Sequence, residues 1–183
     1  ALVANTTATG NVAVGMETLK ANTTGATNTA LGNKSLLANT TASNNTAVGD
    51  STLRANTTGN NNSAVGQLSL YTNTTGGQNT AIGTSALQYS TTASNNTAVG
   101  YAALEVNTTG HSNVAVGYRA LDANTTGNEN VAIGRNVLTA ATTANSNTAV
   151  GAYSQATTTT GDLNASFGRD SLNQNTTGAS NTA

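Results

Sequence analysis

Few residues of this chain have the chemistry of an active site, and they are scattered among repeats. Glu105 and Asp122 lie seventeen residues apart. If seventeen residues make one turn of a stacked coil, their carboxylates sit about 5 Å apart, a separation that suits glycosidic bond cleavage. Catalysis, however, requires unlike groups to converge, and stacked repeats supply ranks of like groups. The two acids are better explained as occupants of one variable, solvent-facing position. His111 is the single histidine and there is no cysteine, which leaves no partner for a ligand set or a catalytic dyad. The acids form no Gly-Asp calcium repeat, and neither Gly-x-Gly-x-x-Gly nor Gly-Lys-Ser/Thr occurs. We expect no catalytic residue, no metal and no cofactor, and a non-enzymatic role.

Three kinds of rank remain. Tyr101 and Tyr118 occupy the same exposed position of adjacent repeats and make the best candidate for an aromatic ligand patch. Thr-Thr pairs recur from Thr6-Thr7 to Thr176-Thr177, a pattern compatible with ice binding if one rank faces outward. Asn-Thr-Thr is also the acceptor pattern for N-linked sugar, with candidate sites at Asn22, Asn39, Asn56, Asn107 and Asn124.

What positions these residues is an unbroken period of 17. Gly15, Gly32, Gly49, Gly66, Gly83, Gly100, Gly117, Gly134, Gly151 and Gly168 are evenly spaced, with no insertion or deletion between them. Numbering this Gly as position 17 makes position 13 Asn in every copy, including Asn28, Asn45, Asn62, Asn79, Asn96, Asn113 and Asn130. Position 4 is Leu except at Gln155. Seventeen residues are few for a helical pair, and Gly, Asn and Thr are poor helix formers. The chain is therefore expected to be all-β, a parallel β-solenoid or β-roll of 17-residue coils. Residues 1–183 would form one repeat array of about eleven coils, a rod roughly 50 Å long, as a fragment of a longer protein.

Positions 13 to 17 read as a strand whose branched residues at 14 and 16 fill the core, while the small residues at 13, 15 and 17 face a neighbouring chain. For one copy this sends Val99 and Leu104 inward, and Asn96, Ala98 and Gly100 toward a partner. Positions 3 to 6 read as a second strand with Leu inward. Asn-Thr-Thr-Gly turns the corner. Ala replaces its Gly at Ala8, Ala42, Ala93 and Ala144, so that Gly needs no positive φ, whereas the unvaried Gly of position 17 is expected to have a positive φ or a tight contact. All charged residues fall at positions 1, 2, 5, 11 or 12, which marks the solvent face.

With 6 Lys plus Arg, 7 Asp plus Glu and a net charge of −1, the chain carries too little charge to steer toward nucleic acid or an anionic membrane. No apolar run reaches the length of a transmembrane helix, and membrane contact by this segment is not expected. The core of each coil is thin, so self-association as a homotrimer or filament is expected.

The motif Asn-x-Ala-Val/Ile-Gly, followed by two free residues and Ala or Ser, resembles the YadA-like head repeat of trimeric autotransporter adhesins. Asn28-Thr-Ala-Leu-Gly-Asn-Lys-Ser35, Asn62-Ser-Ala-Val-Gly-Gln-Leu-Ser69 and Asn130-Val-Ala-Ile-Gly134 carry the likeness. The resemblance implies a trimeric, extracellular, cell-surface fibre for cell adhesion, with a host matrix protein or surface glycan as partner. Family repeats are commonly about 14 residues, and this one adds the Asn-Thr-Thr corner. The style also resembles phage tail-fibre segments and self-assembling extracellular filaments, which are the alternatives, with an ice-binding solenoid third.

Overall fold

A computed structural model describes residues 1–183. The chain is an all-β parallel solenoid without a helix, so no helix is long and apolar enough to cross a membrane. Ten three-residue strands run from β1 (Val12–Val14) and β2 (Thr29–Leu31) through β6 (Thr97–Val99) and β7 (Val114–Val116) to β9 (Thr148–Val150) and β10 (Ala165–Phe167). They form one parallel sheet in sequence order, and each residue pairs with its equivalent 17 residues away, as in Thr97↔Val114, Ala98↔Ala115 and Val99↔Val116. A one-residue slip would turn every side chain over, so the period itself holds the register.

The strand is turned over relative to the sequence expectation. Ala98 and its equivalents at position 15 from Ala30 to Ala149 are fully buried against the Leu of position 4, and together they make one continuous core, with the half-buried Ala13 packed at its end. Positions 14 and 16 point outward and are exposed or half-buried in every strand. Two walls of a 17-residue coil stand so close that the inward Leu already fills the lumen, leaving room opposite it for a methyl group. Val or Ile at position 15 would overpack the core, so the branched residues go outside. Asn96 and Ala98 therefore belong to their own coil and do not face a neighbouring chain.

The expected second strand at positions 3 to 6 is a run of turns. Its Leu does point inward, but through a left-handed backbone: Ala102, Leu104 and Ser112 have φ of 53, 52 and 58°, and positions 2, 4 and 12 repeat this in each coil. Each such residue costs about 1–2 kcal/mol. The offsetting gain is continuous pairing between coils. Leu36 N–H donates to Thr52 O at 3.0 Å and Ala38 N–H to Arg54 O at 3.0 Å. Of 115 backbone hydrogen bonds only 18 lie within the strands, so the turns and corners hold most of the stack together.

Gly at position 17 behaves as its constancy predicts. Its φ lies at 120 to 136°, and a Cβ on Gly100 would stand 2.4 Å from the Gly117 carbonyl oxygen. The corner glycines at position 10 have no positive φ, as the Ala replacements imply.

Candidate functional site

The residues fall into an interior that builds the rod and two outer walls that can meet a partner. In the interior, Asn28, Asn45, Asn62, Asn79, Asn96, Asn113 and Asn130 form an amide ladder. Asn113 Nδ2 donates to Gly127 O at 2.9 Å, and its Oδ1 accepts from Asn130 N–H at 3.0 Å. Each carboxamide thus satisfies backbone groups of the next coil that the short strand leaves unpaired. Gly32, Gly83, Gly100 and Gly117 stack beside it, each with space for a Cβ blocked by the next carbonyl at 2.3 or 2.4 Å. Gly49, Gly66 and Gly134 share the positive φ. At position 3 the hydroxyls of Thr18, Ser35 and Thr52 donate to the Gly carbonyl of the following coil, as Thr52 Oγ1 does to Gly66 O at 2.8 Å.

A second buried ladder corrects the glycosylation expectation. Asn22, Asn39, Asn56, Asn107 and Asn124 are fully buried at position 7. Asn39 Nδ2 donates to Asn22 Oδ1 at 2.8 Å and to Ala42 O at 3.0 Å, so the nitrogen that would carry a sugar is inside the coil. The ladder stops where position 7 shrinks: Asn73 Oδ1, before Ser90, and Asn124 Oδ1, before Ala141, have no partner.

The Thr pairs divide as alternation requires. Thr23 Oγ1 donates to Thr40 O at 3.0 Å, and this first rank serves the backbone, while Thr24 and Thr41 of the second rank are exposed. Position 11 carries a ladder that the sequence reading treated only as solvent face. Its side chains accept from the preceding coil, as Asn128 Oδ1 does from His111 N–H at 2.9 Å and Asp162 Oδ1 from Asn145 N–H at 2.6 Å. The recurrence of Asn60, Asn128, Asn145 and Asp162 there was the available signal. The His111 ring is exposed and meets Ser112 Oγ at 3.3 Å.

The sheet wall presents two outward ranks. Position 16 supplies Val14, Leu31, Val48, Val65, Ile82, Val99, Val116, Ile133, Val150 and Phe167, and position 14 supplies Thr, Val, Ser or Ala. No charged residue lies in either rank, and Ile82 and Ile133 are 43% and 40% exposed.

The turn wall carries the coil-specific residues. Tyr101 and Tyr118 are exposed and stacked, with ring centroids 5.4 Å apart and planes 12° from parallel. Beyond them the Arg135 guanidinium lies 4.7 Å from the Tyr153 ring centre. Asp122, which shares position 5 with Glu105 of the preceding coil, is nearly buried, and its Oδ2 accepts from Arg119 Nε at 2.6 Å. That hydrogen bond, with the attraction of the carboxylate, raises the Arg119 pKa above its ordinary value. No group of three His, Cys, Asp or Glu is placed to hold a metal ion. The chain matches no family model, and neither a curated protein nor a solved structure is found to be similar to it.

Proposed function

We propose that this chain is a structural, non-enzymatic rod segment of an attachment fibre at a bacterial surface, and that the rod self-associates through the outer sheet wall. The observation that carries the reading is the outward-facing apolar rank of position 16, in register over ten strands. At the strand spacing, this wall is roughly 45 Å long and about 10 Å wide, on the order of 450 Å². The position 16 rank makes up its apolar part, and the largest apolar patch of a single chain, which is often functional, is no bigger than a few hundred Å². A second copy fits it best: both faces share one repeat spacing, and neither carries a charge to repel the other. Three copies around an axis would close the seam without leaving an apolar edge.

The likeness of Asn-x-Ala-Val/Ile-Gly to YadA-like head repeats supports the attachment role, an extracellular location and a host matrix protein or surface glycan as target. A phage tail-fibre segment or extracellular filament would use the same wall. The two parallel outward ranks at positions 14 and 16 also favour a second reading, an ice-binding face, over the single outward Thr rank of the corner.

Light scattering after size exclusion separates these. The attachment fibre gives a fixed multiple of the chain mass, and Val99→Asp with Val116→Asp reduces it to one chain. A mass that climbs with concentration assigns a filament. A single-chain mass at every concentration, accompanied by ice shaping, contradicts self-association and assigns the wall to ice.

A further inference from the structure

Positions 2 and 5 of successive coils stand together on the turn wall, joined at Glu17 and Lys20 by an ion pair of 2.7 Å and at Arg119 and Asp122 by one of 2.6 Å. From the second pair, over three consecutive coils, the wall holds a shallow depression lined by Arg119, Asp122, Asn136, Thr139 and Tyr153. Four of these five residues are polar, and their hydrogen bonds within the chain are few. Asp122 uses Oδ2 for Arg119 and keeps Oδ1 free to accept, and Thr139 Oγ1 donates to Ala156 O at 3.2 Å. The Asn136 carboxamide has no partner in the chain, unlike the asparagines of both interior ladders.

We propose that this depression binds a neutral oligosaccharide, with the Tyr118 and Tyr101 rings continuing the surface along the rod. A pyranose presents a ring of C–H groups to one side and hydroxyls around its edge. Tyr153 offers an aromatic ring for the first, one face of which the Arg135 guanidinium covers. The free Asp122 oxygen, the Asn136 amide and Thr139 offer acceptors and donors for the second. Charge favours a neutral ligand: Arg119 and Asp122 neutralise each other, an added anion would meet the Asp122 carboxylate, and the neighbouring Arg135 guanidinium is already held over the Tyr153 ring. Length selects an oligomer. One sugar unit spans about one coil spacing, about 4.8 Å, so a short chain lying along the axis passes from Tyr153 toward the stacked Tyr118 and Tyr101.

The inference deepens the attachment reading by naming a target class, but it uses no residue of positions 14 to 16. It therefore stands or falls separately from self-association. Saturation-transfer NMR and isothermal titration of the full chain with lactose, maltose, cellobiose and N,N′-diacetylchitobiose, beside a sulfated heparin disaccharide, test it. At least one neutral disaccharide is expected to bind, with Tyr153→Ala and Asn136→Ala each weakening it about tenfold or more. Tyr71→Ala, outside the depression, leaves affinity unchanged, and the thermal transitions of all three variants show that the fold is kept. No binding of any neutral disaccharide up to about 10 mM, binding of the sulfated disaccharide alone, or binding indifferent to both variants overturns the proposal.

Discussion

The sheet wall and the turn wall are made by the same chain, yet they use repetition in opposite ways. On the sheet wall positions 15 and 16 keep their character from coil to coil, small inside and apolar outside, and position 14 varies only among Thr, Val, Ser and Ala, so each coil offers a surface much like that of its neighbours, and the wall acts only as a length. On the turn wall the backbone is as regular, with left-handed residues at the same positions in each coil, but the side chains at positions 1, 2 and 5 change freely. Repetition there fixes a scaffold and leaves individual coils to differ. The difference teaches where to look for specificity: self-association belongs to the uniform wall, and selective binding to the varied one.

The junction of the two walls is the position 17 glycine, and breaking it damages both. Gly100→Ala places a Cβ 2.4 Å from a carbonyl oxygen at a φ of 134°, and we expect a loss of about 3–5 kcal/mol in the thermal or urea transition. Gly168→Ala, at a φ of 120° with nothing within 4 Å, should cost clearly less. Equal losses at the two sites would mean that backbone strain, rather than the contact between coils, sets the cost.

Next in size is a pair that contrasts the inward residue of one wall with the outward residue of the other. Leu104→Ala removes a fully buried side chain and should destabilise by about 3 kcal/mol. Val99→Thr, half-buried on the outer face, should change the stability of a single chain by no more than about 0.5 kcal/mol. A larger loss for Val99→Thr in a dissociated chain would place Val99 inside.

The turn wall also contains the one break in the Leu rank. Gln155 is fully buried; its Nε2 donates to Ser166 Oγ at 2.9 Å, while its Oε1 has no partner. Ser154 and Ser166 pair with each other at 2.5 Å and so remain satisfied without it. Gln155→Leu should therefore raise stability by about 1 kcal/mol, read as a shift of the denaturation midpoint at constant slope.

The smallest effect is expected at the solvent edge. The Lys20 ammonium donates to Glu17 Oε1 at 2.7 Å, and this hydrogen bond, then the attraction of the charge, lowers the Glu17 pKa. A lowered folded pKa means that the pair's contribution is present above the unfolded pKa and is lost as pH falls through the folded one. NMR titration of the Glu17 carboxyl should show a midpoint below the ordinary glutamate value, moving back toward it in Lys20→Ala.

Much of this was legible in the residues. The period gave the coil and the register, the unvaried Leu104 rank gave the inward side chain, and replacement of corner glycines by Ala42 and Ala93 separated the two kinds of glycine. The facing of the strand was not legible, because hydrophobicity ranks Val99 above Ala98 for burial. Only the narrow distance between walls reverses that order. The left-handed Leu residues were hidden for a related reason: Leu carries no signal for positive φ, whereas the Asn44, Asn61 and Asn95 of position 12 do. The candidate site divides likewise. Stacking of Tyr101 and Tyr118 follows from their shared position, but the depression beside them needs the reach of Asp122, Asn136 and Tyr153 from three different coils.

The central claim, that the branched side of the strand is outside and meets another copy, is tested most directly by cysteine cross-linking. The chain has no cysteine of its own. Under mild oxidation Val99→Cys should form a disulfide-linked pair of chains, while Ala98→Cys on the same strand stays single. Cross-linking through Ala98→Cys, with Val99→Cys remaining single, would contradict the account.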